Sequence, residues 1–83
     1  MRVRKQSLGN QNIIGAKVEA KRKELGLKHV DLLTRLQILG VELSSSGLSK
    51  LEGQIRKVSD YELVAFADVL GVSVNWLIGQ EDE

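Results

Sequence analysis

Residues 28–52, KHVDLLTRLQILGVELSSSGLSKLE, decide how the rest of the chain is read. Leu32, Leu33, Leu36 and Leu39 recur at helical spacing, which predicts a helix from Lys28 or His29 to about Leu39, with Asp31, Thr34, Arg35 and Gln37 outward. Gly40 permits a turn, and Val41 and Leu43 can tuck back toward the core. Ser44 predicts the N-cap of a following helix over about residues 45–53. In that helix only Leu48 and Leu51 read as buried, while Ser45, Ser46, Ser49 and Lys50 face elsewhere. A helix with so narrow an apolar side must lie on the surface with most of its girth free.

Working toward the N-terminus, Asn12 is a good N-cap for a helix running to about Leu25, with Gly26 as its stop. Ile14, Val18 and Leu25 fall on one face of it, and Lys17, Glu19, Lys21, Lys23 and Glu24 on the wet faces. Residues 1–11 lack periodicity and read as a flexible basic arm. Toward the C-terminus, Gln54 to Val58 form a loop carrying Arg56 and Lys57. Ser59-Asp-Tyr-Glu62 is a capping box, and the helix behind it reaches Leu70 with Leu63, Phe66, Ala67 and Leu70 as its core face. Gly71 ends that helix, Ser73 caps a last one from Val74 to Ile78, and Gly79 stops it. Five helices with short links and no strand pattern predict an all-α domain over residues 12–79, followed by an acidic tail, 80–83.

Composition narrows the function classes. Eighty-three residues make one small domain with a thin core, and with Trp76, Tyr61 and Phe66 as the only aromatics that core is built from Leu, Val and Ile. Without cysteine and with a single His, neither a disulfide framework nor a thiolate or His-rich metal site can be argued. No apolar run approaches the ~20 residues of a membrane span, so a soluble, cytoplasmic protein is expected. Net charge is only +1, but Arg2, Arg4, Lys5, Lys17, Lys21, Arg22 and Lys23 crowd the first quarter while Glu81, Asp82 and Glu83 close the chain. No Gly-rich phosphate loop and no nucleophile–base or paired-carboxylate constellation is present, so no enzyme, cofactor or small-molecule substrate is expected.

The chain resembles the lambda repressor/Cro-like helix-turn-helix family, also called the XRE family, over about residues 13–79. The resemblance rests on Ile14-Gly15, Val18, Arg22 and Gly26-Leu27, then Leu32, then Leu48-Ser-Lys-Leu-Glu52. It continues in Glu62-Leu63, Ala67, Leu70-Gly-Val-Ser73 and Trp76-Leu77. It implies a compact five-helix DNA-binding domain in which helix 2 crosses the DNA backbone and helix 3 enters the major groove. It also implies base contacts by Ser45, Ser46 and Lys50, phosphate contacts by Lys28, His29, Arg56 and Lys57, and a structural pair between Arg22 and Glu52. Two departures stand out. Leu32 to Glu52 is several residues longer than in the compact phage repressors, which implies an extended helix 2 and a longer turn, and the family commonly has Gly where this chain has Gln54.

The serines weigh toward function as well. Ser44, Ser45, Ser46 and Ser49 with Gly47 cost helix stability, where a purely structural helix would hold Ala, Glu or Lys. Small polar side chains let a backbone approach base edges and exchange hydrogen bonds with them. Arg22 with Glu52 reads as a partly exposed pair worth ~0–1 kcal/mol, whose value is orientation. Trp76 and Ile78 read as partly outward on the last helix and are candidate dimer contacts, placing two copies of helix 3 one DNA turn apart on a palindrome. The expected function is a sequence-specific transcriptional regulator, a repressor acting as a homodimer on double-stranded DNA. The alternative is a helix-turn-helix protein-interaction module such as an antitoxin or adaptor.

Overall fold

The computed structural model describes residues 9–80. The helices are α1 (Gly15–Glu24), α2 (His29–Ile38), α3 (Ser45–Glu52), α4 (Asp60–Leu70) and α5 (Val74–Leu77), and no strand occurs among the described residues. Each start has a local cause. Ser44, Ser59 and Ser73 accept hydrogen bonds through their hydroxyls from Gly47 N, Glu62 N and Trp76 N, which satisfies amides that a helix N-terminus leaves open. Glu62 returns the favour to Ser59 N at 2.9 Å, completing the expected capping box. At the start of α2, Asp31 Oδ2 accepts from Lys28 N at 2.8 Å. Gly71 ends α4 at φ 69°, a left-handed turn that only glycine enters at no steric cost.

The core is aliphatic around one aromatic ring. Val18 of α1, Leu32 and Leu36 of α2, Leu48 and Leu51 of α3, Phe66 of α4 and Leu77 of α5 are all fully buried. α3 packs on α1 and α2, whereas α4 packs on α1, α2 and α5. The surface helix is thus held by the first two helices, which α4 also packs against. No helix among the described residues is long and apolar enough to cross a membrane.

Several boundaries differ from the sequence reading. α1 begins at Gly15 rather than directly after Asn12, because the Asn12 carboxamide caps at a distance: its Oδ1 accepts from Ile14 N at 3.1 Å and Gly15 N at 2.8 Å. Leu25 and Leu39 were expected on apolar faces but are 48% and 46% exposed. Both lie just past the last helical residue, where the chain leaves the helical period and the side chain swings off the buried stripe. α2 has ten residues, like α1, and the connection from Leu39 to Ser44 adds six more before α3. α5 stops at Leu77, with Ile78 as its C-cap. Of the expected flexible arm, residues 1–8 lie outside the described residues. Gly9 and Gln11 are docked, their amides donating to Gly53 O and Gln54 O at 2.9 Å each. Residues 81–83 of the acidic tail also lie outside the described residues.

Candidate nucleic-acid interface

α3 is polar above and apolar below. Leu48 and Leu51 are wholly buried beneath it, and Glu52 at its end is 3% exposed. Ser45, Ser46, Ser49 and Lys50 are exposed, and none of their side chains has a hydrogen-bond or ion-pair partner among the described residues. The sequence places apolar residues only at positions 48 and 51, so the helix can seat itself on one narrow edge and leave the rest of its surface to solvent.

What fixes this helix is concentrated at its C-terminal end. Arg22 of α1 donates from Nε to Glu52 Oε2 at 2.7 Å and from Nη2 to Glu52 Oε1 at 3.1 Å, while Nη1 donates to Leu27 O at 2.9 Å. The expected pair is therefore present, but buried rather than partly exposed: Arg22 retains 8% of its surface and Glu52 3%. His29 Nε2 lies 3.1 Å from Glu52 Oε1, so one carboxylate ties the starts or ends of three helices together. Asn12 adds a second tie. Its Nδ2 donates to Leu51 O at 3.0 Å and to Arg56 O at 2.7 Å, and Gln54 Nε2 donates to Asn12 O at 2.7 Å. Gly15 lies so close to Leu51 O and Glu52 O that no Cβ fits between them.

Sequence reasoning recognised Asn12 only as a cap. Nothing local marks its second role, because the acceptors lie 39 and 44 residues away. Gln54 carries a signal that could have been read further. It has φ 61°, a left-handed backbone rare outside glycine, at the position where the resemblance implies Gly.

The four basic candidates around α3 divide into two kinds. Lys28 and Lys57 are exposed and make no ion pair among the described residues. His29 and Arg56 are already engaged. Arg56 donates to both Glu62 oxygens at 3.1 and 2.8 Å and to Lys57 O at 3.1 Å, using three of its five donors. The hydrogen bond from Arg56 is the main reason the Glu62 carboxyl is held below its ordinary range, and the same bond raises the Arg56 guanidinium. Arg56 is thus first a brace on the N-terminus of α4, with two donors left over.

Trp76 and Ile78 are half-buried and pack against the core. The Trp76 ring has Lys17 Nζ 4.6 Å and Lys21 Nζ 5.5 Å from its centroid, and Lys17 Nζ donates to Trp76 O at 2.9 Å. These contacts join α5 to α1 by cation–π attraction and a charge-assisted hydrogen bond. The more exposed apolar side chains lie elsewhere, with Ile38 at 79% and Tyr61 at 83% among them. No protein-family model matches the chain, and no curated protein matches it either.

Proposed function

We propose that the chain is a sequence-specific DNA-binding transcriptional regulator of the lambda repressor-like helix-turn-helix kind, with α3 as the helix that enters the major groove. One observation carries the reading: Ser45, Ser46, Ser49 and Lys50 form an exposed polar face, without side-chain partners among the described residues, on a helix whose opposite edge is anchored by Leu48, Leu51 and Glu52. A surface helix of this width fits the major groove, and short hydroxyl side chains meet donors and acceptors on base edges there. Lys50 favours guanine O6 and N7. Lys28 and Lys57 serve as sequence-independent phosphate anchors, and the unused donors of Arg56 add to them. The proposed active form is a homodimer whose two copies of α3 sit ~34 Å apart on a palindromic operator, acting as a repressor by occupying it.

Selection of bound duplexes from a random DNA pool, followed by titration of the winner against salt, tests this. The regulator binds at low salt and weakens steeply as salt rises, by roughly 0.9 in log–log slope for each phosphate neutralised. An antitoxin-like or adaptor module, the alternative, shows no salt-dependent binding to duplex DNA, and that result would sink the proposal.

A further inference from the structure

The molecule has an open groove of about 890 Å³ between α4, the first residues of the α2–α3 connection and the start of α5. Leu39, Val41, Tyr61, Val64, Val72 and Val74 line it, and no residue of α3 does. Leu39, Tyr61 and Val64 are 46%, 83% and 59% exposed, which is much apolar surface to leave wet on so small a domain. The ionisable side chains in its lining, Asp60, Asp68 and the Tyr61 phenol, include no cation. Asp60 is well placed for α4 itself, in the first turn, where negative charge suits the helix dipole, and its Oδ1 accepts from Tyr61 N. Asp68 is not. It stands in the last turn of α4, where the dipole favours a cation, and its exposed carboxylate has no hydrogen-bond or ion-pair partner among the described residues.

We infer that this groove is a docking site for a cationic amphipathic helix of a partner protein, whose apolar stripe covers Leu39, Val64 and Val72 and whose Lys or Arg residues meet Asp60 and Asp68. The charges select this occupant. Two copies of the chain pairing here across a two-fold axis, with α4 antiparallel to α4, would set Asp60 against the other copy's Asp68 with no cation between them, and like charges held together oppose association. Duplex DNA is repelled by the same carboxylates. With no strand among the described residues, no open sheet edge offers backbone pairing, so recognition falls to a side-chain stripe laid into the groove. The surface is separate from α3, so a partner seated here leaves the proposed DNA-reading face open.

The test uses the full chain and two synthetic fourteen-residue helical peptides sharing one leucine stripe, the first edged with lysines and the second with glutamates. Methyl NMR titration of each, at low protein concentration, reads the signals of Val41, Val64 and Val72. The lysine-edged peptide is expected to shift these signals and to bind at least about tenfold tighter than the glutamate-edged one, as two charge pairs across a partly desolvated surface imply. Asp68→Lys, which places a cation where the helix dipole accepts one and so folds normally, leaves Asp60 as the sole carboxylate beside a new cation and is expected to abolish the preference; Asp68→Asn is expected to narrow it. The inference is overturned if neither peptide moves these signals, if the two bind alike, if Asp68→Lys leaves the preference unchanged, or if the signals move with protein concentration alone. None of these readings depends on duplex binding, which is measured separately.

Discussion

Arg22 and Glu52 face each other fork to fork, with hydrogen bonds of 2.7 and 3.1 Å, in a place almost closed to solvent. Burial changes what the pair does. An exposed pair would contribute ~0–1 kcal/mol, but a buried charge stripped of its partner costs about 3–5 kcal/mol. Glu52→Leu strands the Arg22 guanidinium and is expected near the upper end of that range. Arg22→Met falls near the lower end, since His29 stays beside Glu52. The double variant recovers most of the loss, because an apolar pair of similar volume leaves no charge behind. Urea denaturation of the three variants checks this, and a cost below about 1 kcal/mol for Glu52→Leu would show that water reaches the site.

Asn12→Asp keeps the acceptor that serves Ile14 N and Gly15 N but removes the two donors to Leu51 O and Arg56 O. Two part-buried carbonyls then face a carboxylate in place of an amide. The expected loss is about 2 kcal/mol. For a domain of this size that lowers Tm by roughly 10 °C, and thermal unfolding followed by circular dichroism measures it.

Gly15→Ala tests how closely α1 and α3 approach. The added methyl would overlap the carbonyl oxygens of Leu51 and Glu52, which are backbone and cannot rotate aside. A destabilisation of about 1–3 kcal/mol is expected from overpacking. If α3 is the DNA-reading helix, the same variant also weakens duplex binding at temperatures where it is fully folded.

The pairing of Glu62 with Arg56 predicts an acid limb in the stability profile. The hydrogen bond from Arg56 depresses the folded-state pKa of Glu62, so its stabilisation is fully present above the unfolded value of ~4.3. It is lost as the pH falls through the lower folded-state value. Glu62→Gln is expected to flatten the profile in that window, and Ser59→Ala, which removes the reciprocal cap, to cost about 1 kcal/mol at neutral pH. Denaturation midpoints across the acid range give both numbers; an unchanged slope in Glu62→Gln would assign the limb to another carboxylate.

For the proposed DNA contacts, Lys50→Ala is expected to lower affinity for the selected site more than for random duplex, by ~1–3 kcal/mol of discrimination. Lys57→Ala weakens both alike and reduces the salt slope by about 0.9. Fluorescence anisotropy on the two duplexes separates the outcomes. Equal losses for both sequences in Lys50→Ala would remove α3 from the reading role.

Local chemistry made much of this molecule legible in its sequence. Ser59 with Glu62, Gly71 and Ser73 announce α4 and α5 because caps and left-handed turns act within four residues. The narrow apolar side of α3 follows from Leu48 and Leu51 alone. What stayed hidden acts across the fold. Asn12 reaches Leu51, Gly9 pairs its backbone with Gly53, and Arg56 chooses Glu62, a residue already accounted for by its cap. Backbone pairing leaves no trace in side-chain periodicity, and a cation in a loop does not declare whether it faces solvent or a carboxylate. The stretch between α2 and α3 was visible as a length, but length does not say where the helix ends and the loop begins.

The ties of α3 make it a cantilever. Asn12, Gly15, Arg22 and His29 all grip its last residues, whereas at the other end the first turn is closed by bonds of its own, from Gly47 N to the Ser44 hydroxyl and from Leu48 N to Ser44 O, above the buried Leu48. Eight residues of helix span about 12 Å, so a tilt of roughly 10° at the clamp moves the serine tip by about 2 Å. Such a displacement separates a made hydrogen bond from a missed one. Small substitutions at the root of this lever, none of them near Ser45 or Ser46, therefore reach the tip.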